Sequence, residues 1–143
     1  MLRYPRLNGG QRPHGRGKMS GYVNRLAIIV YARQPMVDWI NEVQPLDGKE
    51  WTVDSLRDTP MVFLISNDPT LDSGDGMLKY LKDPIFGCWL EDVEEDEAKW
   101  PKDRSWKVFQ KWFECVVVHP VIDLERKDPI EVTPPSDPDE PSL

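Results

Sequence analysis

The stretch Arg25-Leu-Ala-Ile-Ile-Val-Tyr-Ala32 is the part of the sequence that decides the fold class. It is an apolar run rich in β-branched residues and bounded by polar ones, which predicts a strand buried on both faces. Directly after it, Pro35 suits the first turn of a helix, and apolar residues recur at helical spacing at Met36, Trp39, Ile40 and Val43. A buried strand followed at once by an amphipathic helix indicates an architecture in which helices lie on a sheet.

Two further strands are predicted by apolar runs at residues 60–65, which begin with Pro60, and at Cys115–Leu124. Helices are predicted between these runs. The first lies at Val53–Arg57 and is capped by Thr52 without a capping box. The others lie at 71–81, where only Met77–Lys82 is regular, from Asp83-Pro84 onward, and after a cap at Asp103. We therefore expect one α+β domain, a small, roughly three-stranded sheet covered by three to five helices. The connections are long enough for right-handed crossovers, and the strand order is left open.

The flanking segments differ in composition from the domain between them. Residues 1–18 contain five basic residues, four glycines and no acidic residue, which predicts a disordered basic extension with Met19 as an alternative start. A basic arm that binds nucleic acid is the other interpretation of this segment. Residues 125–143 contain six acidic residues and five prolines, which predicts a disordered acidic tail. The folded domain is thus expected over residues 19–124.

Charge and cysteine content restrict the classes of partner and compartment. The whole chain carries −7, residues 1–18 carry +5 and residues 125–143 carry −4, which leaves −8 for residues 19–124. A domain this acidic repels phosphate backbones and anionic lipid surfaces, so we expect no nucleic-acid or membrane binding by the folded part. The two cysteines lack a metal-ligand spacing, and no secretory signal pattern is present. A soluble cytoplasmic protein with reduced thiols is therefore expected.

Two motifs suggest ligand binding and fail on their spacing. Gly15-Arg-Gly-Lys18 lacks the preceding glycine, the following Ser or Thr and the flanking strand of a phosphate-binding loop. The segment 68–76 is rich in Asp and Gly, as calcium loops are, but the twelfth position counted from Asp68 is Lys79, where such a loop needs a bidentate Glu. We therefore predict neither a metal site nor a cofactor.

Catalytic residues are not clearly indicated. Cys115, His119 and Asp123 share one face of a predicted strand, but successive members lie about 13 Å apart, too far for a nucleophile and its base. The alternative hypothesis is a small hydrolase or metal-dependent enzyme whose site assembles around His119 with Asp38 and Asp123.

The leading hypothesis is a non-enzymatic protein-interaction module with an acidic surface, such as an inhibitor, an immunity-like protein or a regulator. Glu91–Glu97 holds six acidic residues in seven positions, which is typical of a solvated helix face and also suits a basic protein partner. The candidate partner-binding residues are Glu91, Asp92, Glu94, Glu95, Trp51 and Trp100. The chain is expected to be a monomer or a homodimer, and a dimer-forming role would require an exposed apolar patch larger than a few hundred Å².

The C-terminal half of the domain carries a sequence pattern of its own. Trp100-Pro101, Asp103-Arg104, Phe109 and Trp112-Phe113 follow the order Trp-Pro-x-Asp-Arg-x-x-x-x-Phe-x-x-Trp-Phe. Together with residues 26–32, Gln34-Pro35 and Asp38-Trp39-Ile40, it resembles a family of small acidic bacterial cytosolic proteins with no assigned activity. The resemblance covers residues 19–124, and implies a bacterial cytosolic setting and a domain that ends near Leu124. It transfers no functional residue.

Overall fold

The computed structural model describes residues 21–66, 75–125 and 127–133. The predictions for residues 1–18, including the Gly15–Lys18 motif, most of the 68–76 loop and the end of the acidic tail lie outside these ranges. The described elements, in chain order, are β1 (Gly21–Tyr22), β2 (Arg25–Ala32), α1 (Gln34–Val43), α2 (Val53–Arg57), β3 (Met61–Ser66), α3 (Asp75–Val93), one turn of 3-10 helix (Glu97–Lys99), α4 (Trp106–Trp112), β4 (Phe113–Val118) and β5 (Ile122–Asp123). They form a small α+β fold, as the sequence predicts.

The main sheet has the strand order β3-β2-β4, and both pairings are antiparallel. Val30 of the central strand therefore lies between Met61 and Cys115. No crossover joins β2 to β3, because these two strands run in opposite directions. β3 and β4 both run antiparallel to β2 and lie on either side of it, so the segment between them, which contains α3 and α4, crosses over β2. The first and last strands form a separate two-stranded ribbon in which Gly21 pairs with Asp123.

The helices cover one face of the main sheet. On β2 the side chains of Ile28, Val30 and Ala32 are buried, and β4 contributes Phe113, Cys115 and Val117 to the same layer. The alternate residues of all three strands point to the opposite face, which no described helix covers. On that face of β2 Ala27 is buried, Ile29 and Tyr31 are partly exposed and Arg25 is exposed, so the prediction that β2 is buried on both faces holds only in part. An apolar run shows that a strand is suited to burial. It does not show which of the two faces of the strand the rest of the chain covers.

Aromatic side chains fill the space between the sheet and helices α3 and α4. The ring centroid of Phe86 lies 6.1 Å from that of Phe109 and 5.1 Å from that of Phe113, and Phe109 lies 5.2 Å from Phe113. Trp89 is buried beside this trio, with its centroid 5.8 Å from that of Phe113. These rings join α3 to the contiguous elements α4 and β4. Each large aromatic side chain buries about 150–250 Å².

Helix α3 is continuous through Pro84, so the predicted restart at Asp83-Pro84 is wrong. A proline inside a helix leaves the carbonyl four residues earlier without its intrahelical donor. That carbonyl belongs to Tyr80, a residue that is 82 % exposed, so water is available to it. Buried apolar residues on both sides of the proline, including Leu78 and Ile85, hold the helix against the core.

Two helix caps differ from those predicted. Thr52 and Ser55 form a reciprocal capping box at α2, with Ser55 N–H donating to Thr52 Oγ1 at 3.0 Å and Thr52 N–H to Ser55 Oγ at 2.8 Å. A serine hydroxyl at the third helical position thus replaces the usual Glu or Gln. At α4 the N-cap is Ser105. The predicted cap, Asp103, lies two residues before it and accepts the backbone N–H of Ser105 at 3.0 Å.

The predicted last strand is divided in two. β4 begins at Phe113 and ends at Val118, and the chain then passes through a cis His119-Pro120 peptide bond before β5. Pro120 has no N–H to donate to a ladder, which accounts for the interruption.

Candidate functional site

The side of the main sheet that no described helix covers is largely apolar, and we name it the open sheet face. Its members alternate along each strand with the side chains that face the helices. They are Arg25, Ala27, Ile29 and Tyr31 of β2, Val62, Leu64 and Ser66 of β3, and Glu114, Val116 and Val118 of β4. Six of these ten side chains are aliphatic.

This composition is unusual for a sheet side that faces solvent. Antiparallel sheets with one solvated face normally alternate apolar residues inward with polar residues outward. Here Val62 is 57 % exposed and Leu64 is 50 % exposed, on a strand at the edge of the sheet. Their cross-strand neighbours Ile29 and Ala27 are also apolar. Exposed apolar side chains that lie next to one another on a sheet, as Val62 and Leu64 do here, make this face the candidate interaction surface.

One end of the open sheet face is organised by Arg57, the last residue of α2. Its guanidinium carbon lies 4.7 Å from the ring centroid of Tyr31, which places the cation over the ring. The same guanidinium is 3.3 Å from a carboxylate oxygen of Glu114. Tyr31 and Glu114 are direct cross-strand partners, so one cation links the central strand to β4. This end of the open sheet face is therefore bordered by the polar groups of Arg57 and Glu114, which we name the polar border and whose positions these contacts fix.

The acidic stretch lies away from this surface, at the end of α3 and in the loop that follows. Glu91, Asp92 and Glu95 are exposed. The Glu94 side chain is only 12 % exposed and lies 3.9 Å from Lys99 Nζ. It also accepts hydrogen bonds from Gln44 Nε2 at 3.4 Å and from the backbone N–H of Asp96 at 3.2 Å. Glu94 thus stabilises the loop, while the other three carboxylates are free to meet solvent.

The two candidate tryptophans are both attached to the folded core. The Trp100 indole N–H donates to the carbonyl of Glu94 at 2.7 Å. The backbone of Trp51 makes two hydrogen bonds with the Asn41 side chain, one in each direction, at 2.8 and 2.9 Å. Both side chains are half-buried against the core, so each offers only part of its ring to a partner.

The candidate catalytic residues belong to different parts of the fold. His119 follows the last residue of β4, and Asp123 lies on β5, where its carboxylate accepts the backbone N–H of Glu125 at 2.8 Å. Asp38 lies on α1, which starts at the opposite end of the β2–β4 pair, and accepts a hydrogen bond from Gln34 at 2.7 Å. Each of the two carboxylates therefore has a local partner.

The cysteines differ in their surroundings, and one of them borders a small cavity. Burial raises the pKa of the Cys115 thiol to about 12. Burial, and next the carboxylate of Glu91, raise the pKa of the exposed Cys88. The cavity beside Cys115 has a volume of about 30 Å³ and is also lined by Asp75 and Gln110. Ligand pockets measure about 300–1,000 Å³, so this cavity is large enough for a water molecule but too small for a typical small-molecule ligand.

Within the described ranges, no group of three or more His, Cys, Asp and Glu side chains is placed to hold a metal ion. None of the helices in those ranges has the length and apolar character needed to cross a membrane. Comparisons of this chain with protein-family models, with curated proteins and with solved structures find no match. The resemblance to small bacterial cytosolic proteins therefore stays a prediction.

The open sheet face is the feature that the sequence analysis missed. Its signal was present in residues 61–65, Met-Val-Phe-Leu-Ile, which show no polar alternation for an edge strand. Recognising it requires knowing that the described helices all pack on the same side of the sheet.

Proposed function

We propose that this chain is a protein-interaction module rather than an enzyme, and that it binds its partner through the open sheet face. The exposed aliphatic side chains of Val62 and Leu64 carry this proposal. Burying them together with Ile29, Val116 and Val118 removes apolar surface from water, which is the main driving force of protein association.

The polar border supports a role in recognition. Arg57 is held by both the ring of Tyr31 and the carboxylate of Glu114, so its guanidinium is ordered before a partner arrives. An ordered side chain loses less conformational entropy on binding than a free one. Arginine and tyrosine are also the residue types that most often dominate interface energetics.

The acidic stretch is proposed as a separate contact for a basic partner. Glu91, Asp92 and Glu95 are exposed and adjacent, and so are able to raise the association rate electrostatically at low salt. We expect the protein to act in the cytoplasm, in an inhibitory, immunity-like or regulatory role. Reversal of these three charges should slow association and reduce its salt dependence, but should leave contacts at the open sheet face intact.

The function is tested by crosslinking the tagged chain inside its source cells. Three forms are compared: the natural chain, Leu64→Lys on the open sheet face, and Tyr80→Lys on α3 as a control of equal charge change at an exposed apolar residue. We expect the crosslinked species to disappear with Leu64→Lys and to persist with Tyr80→Lys. The same species in all three samples would contradict the proposal.

A further inference from the structure

Backbone hydrogen bonding at the edge of the main sheet follows from one contact at the end of the β2–β4 pair. The N–H of Arg33 donates to the carbonyl of Trp112 at 2.7 Å. These two residues continue the register in which Ala32 pairs with Phe113. Hydrogen-bonded and non-hydrogen-bonded pairs alternate along an antiparallel ladder. The odd-numbered residues of β2 therefore bond to β4, and its even-numbered residues bond to β3.

The same alternation shows which residues of β3 face away from β2. The even-numbered residues of β2 pair with Met61, Phe63 and Ile65. The backbone N–H and C=O groups of the other three residues of β3 therefore point outward, and these residues are Val62, Leu64 and Ser66. Among the strands of the described ranges, none pairs with this side of β3, which we name the β3 edge. It presents a row of backbone donors and acceptors that repeats about every 7 Å.

Strand β3 lacks the features with which edge strands normally avoid pairing. Those features are charged side chains, a proline within the strand and β-bulges. Residues 61–66 include no charged residue and no proline, and all six pair with β2 in an unbroken register. Pro60 precedes the strand and leaves its N–H groups in place. The β3 edge is therefore suited to pairing with another strand.

Side chains on both faces of β3 are incompletely buried. Val62 and Leu64 are exposed on the open sheet face. On the side that faces the helices, Phe63 is only partly buried, whereas its cross-strand neighbour Ile28 on the central strand is fully buried. A strand beside β3 thus finds apolar neighbours at cross-strand distance on both of its faces.

We propose that the partner adds an extended peptide segment to the β3 edge, as a fourth strand of the main sheet. This proposal rests on the interaction function proposed above and names the chemistry of the partner. The segment is about as long as β3, contains no proline, and is uncharged, because β3 offers no charge to pair with a buried one. Backbone hydrogen bonds supply affinity in this mode of recognition, and alternate side chains supply specificity. Every second side chain of the segment lies on the open sheet face, beside Val62 and Leu64.

The charge of the domain favours a separate protein over a second copy of this chain. Residues 19–124 carry −8, so two copies joined at their β3 edges would bring two strongly acidic domains side by side. Their mutual repulsion opposes such a dimer. A segment of a neutral or basic protein meets no such repulsion. The partner therefore combines an uncharged, strand-forming segment with a surface that is not acidic.

Selection from a phage library of random peptides about seven residues long, with the natural chain as bait, tests the proposal. We expect the enriched peptides to lack charge and proline in their central positions and to carry apolar residues at alternate positions. A synthetic peptide of an enriched sequence then gives a Kd by fluorescence polarisation. A library that yields no binding peptide overturns the proposal, and so does enrichment of peptides with charged residues or proline at their centre.

Methylation of single backbone nitrogens in the selected peptide tests strand pairing specifically. An added strand directs only every second N–H group to its neighbour. N-methylation should therefore weaken binding by about tenfold or more at alternate positions, and by less than about threefold at the positions between them. Equal effects at all positions overturn the proposal. This measurement uses the natural chain, so it does not depend on the folding of any variant.

Two substitutions at Leu64 separate its backbone from its side chain. Leu64→Pro removes an outward N–H group without removing a hydrogen bond to β2, whereas Leu64→Ala keeps that group and shortens the side chain. We expect Leu64→Pro to abolish peptide binding, Leu64→Ala to weaken it by about tenfold at most, and Tyr80→Lys on α3 to leave it unchanged. Circular dichroism establishes that each variant is folded. A folded Leu64→Pro that binds the peptide as the natural chain does overturns the proposal.

The failure of this proposal differs from the failure of the interaction function. If no peptide binds but Leu64→Lys still abolishes crosslinking in cells, strand addition is rejected and the interaction function stays in place. Sedimentation velocity examines the other occupant. A natural chain that dimerises, with the dimer lost in Leu64→Pro, assigns the β3 edge to a second copy and overturns the proposed partner.

Discussion

The ring of Phe86 meets that of Phe113 edge to face, with an interplanar angle of 90° and centroids 5.1 Å apart. This contact joins the middle of α3 to the first residue of β4. Phe86 is fully buried, and its ring also lies 5.5 Å from that of Trp112. One side chain therefore connects α3 to both α4 and the sheet.

We expect Phe86→Ala to lower the free energy of unfolding by about 3–5 kcal/mol, because it removes a large buried ring and leaves a cavity. Urea denaturation followed by circular dichroism measures the change. Tyr80→Ala, on the same helix but exposed, should change stability by no more than about 0.5 kcal/mol. Equal effects of the two substitutions would contradict the packing described for α3.

Asn41→Ala should destabilise the protein by about 1–3 kcal/mol, because the N–H and C=O of Trp51 both lose their partner. Asn41→Asp keeps an acceptor for the N–H but places a carboxylate oxygen against the C=O, so we expect no rescue. Glu42→Ala is the exposed control on the next residue. Thermal and urea unfolding compare the three, and a neutral Asn41→Ala would show that Asn41 does not hold this loop.

Pro84→Ala should stabilise the protein by about 1–2 kcal/mol. It restores a hydrogen-bond donor for the Tyr80 carbonyl and removes a helix breaker that costs about 3 kcal/mol in a helix interior, an effect partly offset by the greater entropy of the unfolded chain. Denaturant unfolding measures the gain. A loss of stability would mean that α3 depends on the proline ring at this position.

Leu64→Lys and Phe63→Lys place the same charge on opposite faces of β3. We expect Leu64→Lys to change the monomer's stability by less than about 1 kcal/mol, because the side chain already meets water. Phe63→Lys should cost about 3 kcal/mol or more, because Phe63 packs against the buried core. Unfolding is measured at a concentration at which the chain is monomeric. Similar losses for both would show that the open sheet face is covered within the monomer.

Cys88 should be alkylated by iodoacetamide in the native protein at neutral pH, and Cys115 should not. Thiolate is the reactive form, and with a pKa of about 12 the Cys115 thiol stays protonated until strongly alkaline pH. Because burial also raises the pKa of Cys88, its reaction should accelerate as the pH rises. Mass spectrometry of the digested protein quantifies each site, and denaturant should make both reactive. Rapid native labelling of Cys115 would contradict its burial.

The fold class could be predicted from local patterns, because β2 and α1 combine apolar periodicity with suitable end signals. The details that escaped prediction depend on contacts distant in sequence. Pro84 lies inside a helix because buried residues on either side hold both halves to the core, and residue order alone cannot show that support. Ser105 caps α4 instead of Asp103, and residue type alone could not decide between them, because both Ser and Asp are favoured N-caps.

The candidate site was predicted less well. Glu91, Asp92 and Glu95 are exposed, as expected for a solvated acidic stretch, whereas Glu94 is largely buried by its bonds to Gln44 and Asp96. The open sheet face was missed because β2 reads as apolar on both sides. Deciding which side is covered requires the positions of all helices, and those are set by the whole core.

The central position of β2 also has a consequence for how the protein is made. The second neighbour of this strand, β4, lies about ninety residues later in the chain, so β2 leaves the ribosome well before β4 does. Until then β2 is paired on one edge at most, and its apolar side chains lack Phe113 and Val117. Contacts between residues so distant form slowly. A nascent chain of this protein should therefore be a good substrate for chaperones that shield strand edges, and a chain that stops before Phe113 should aggregate.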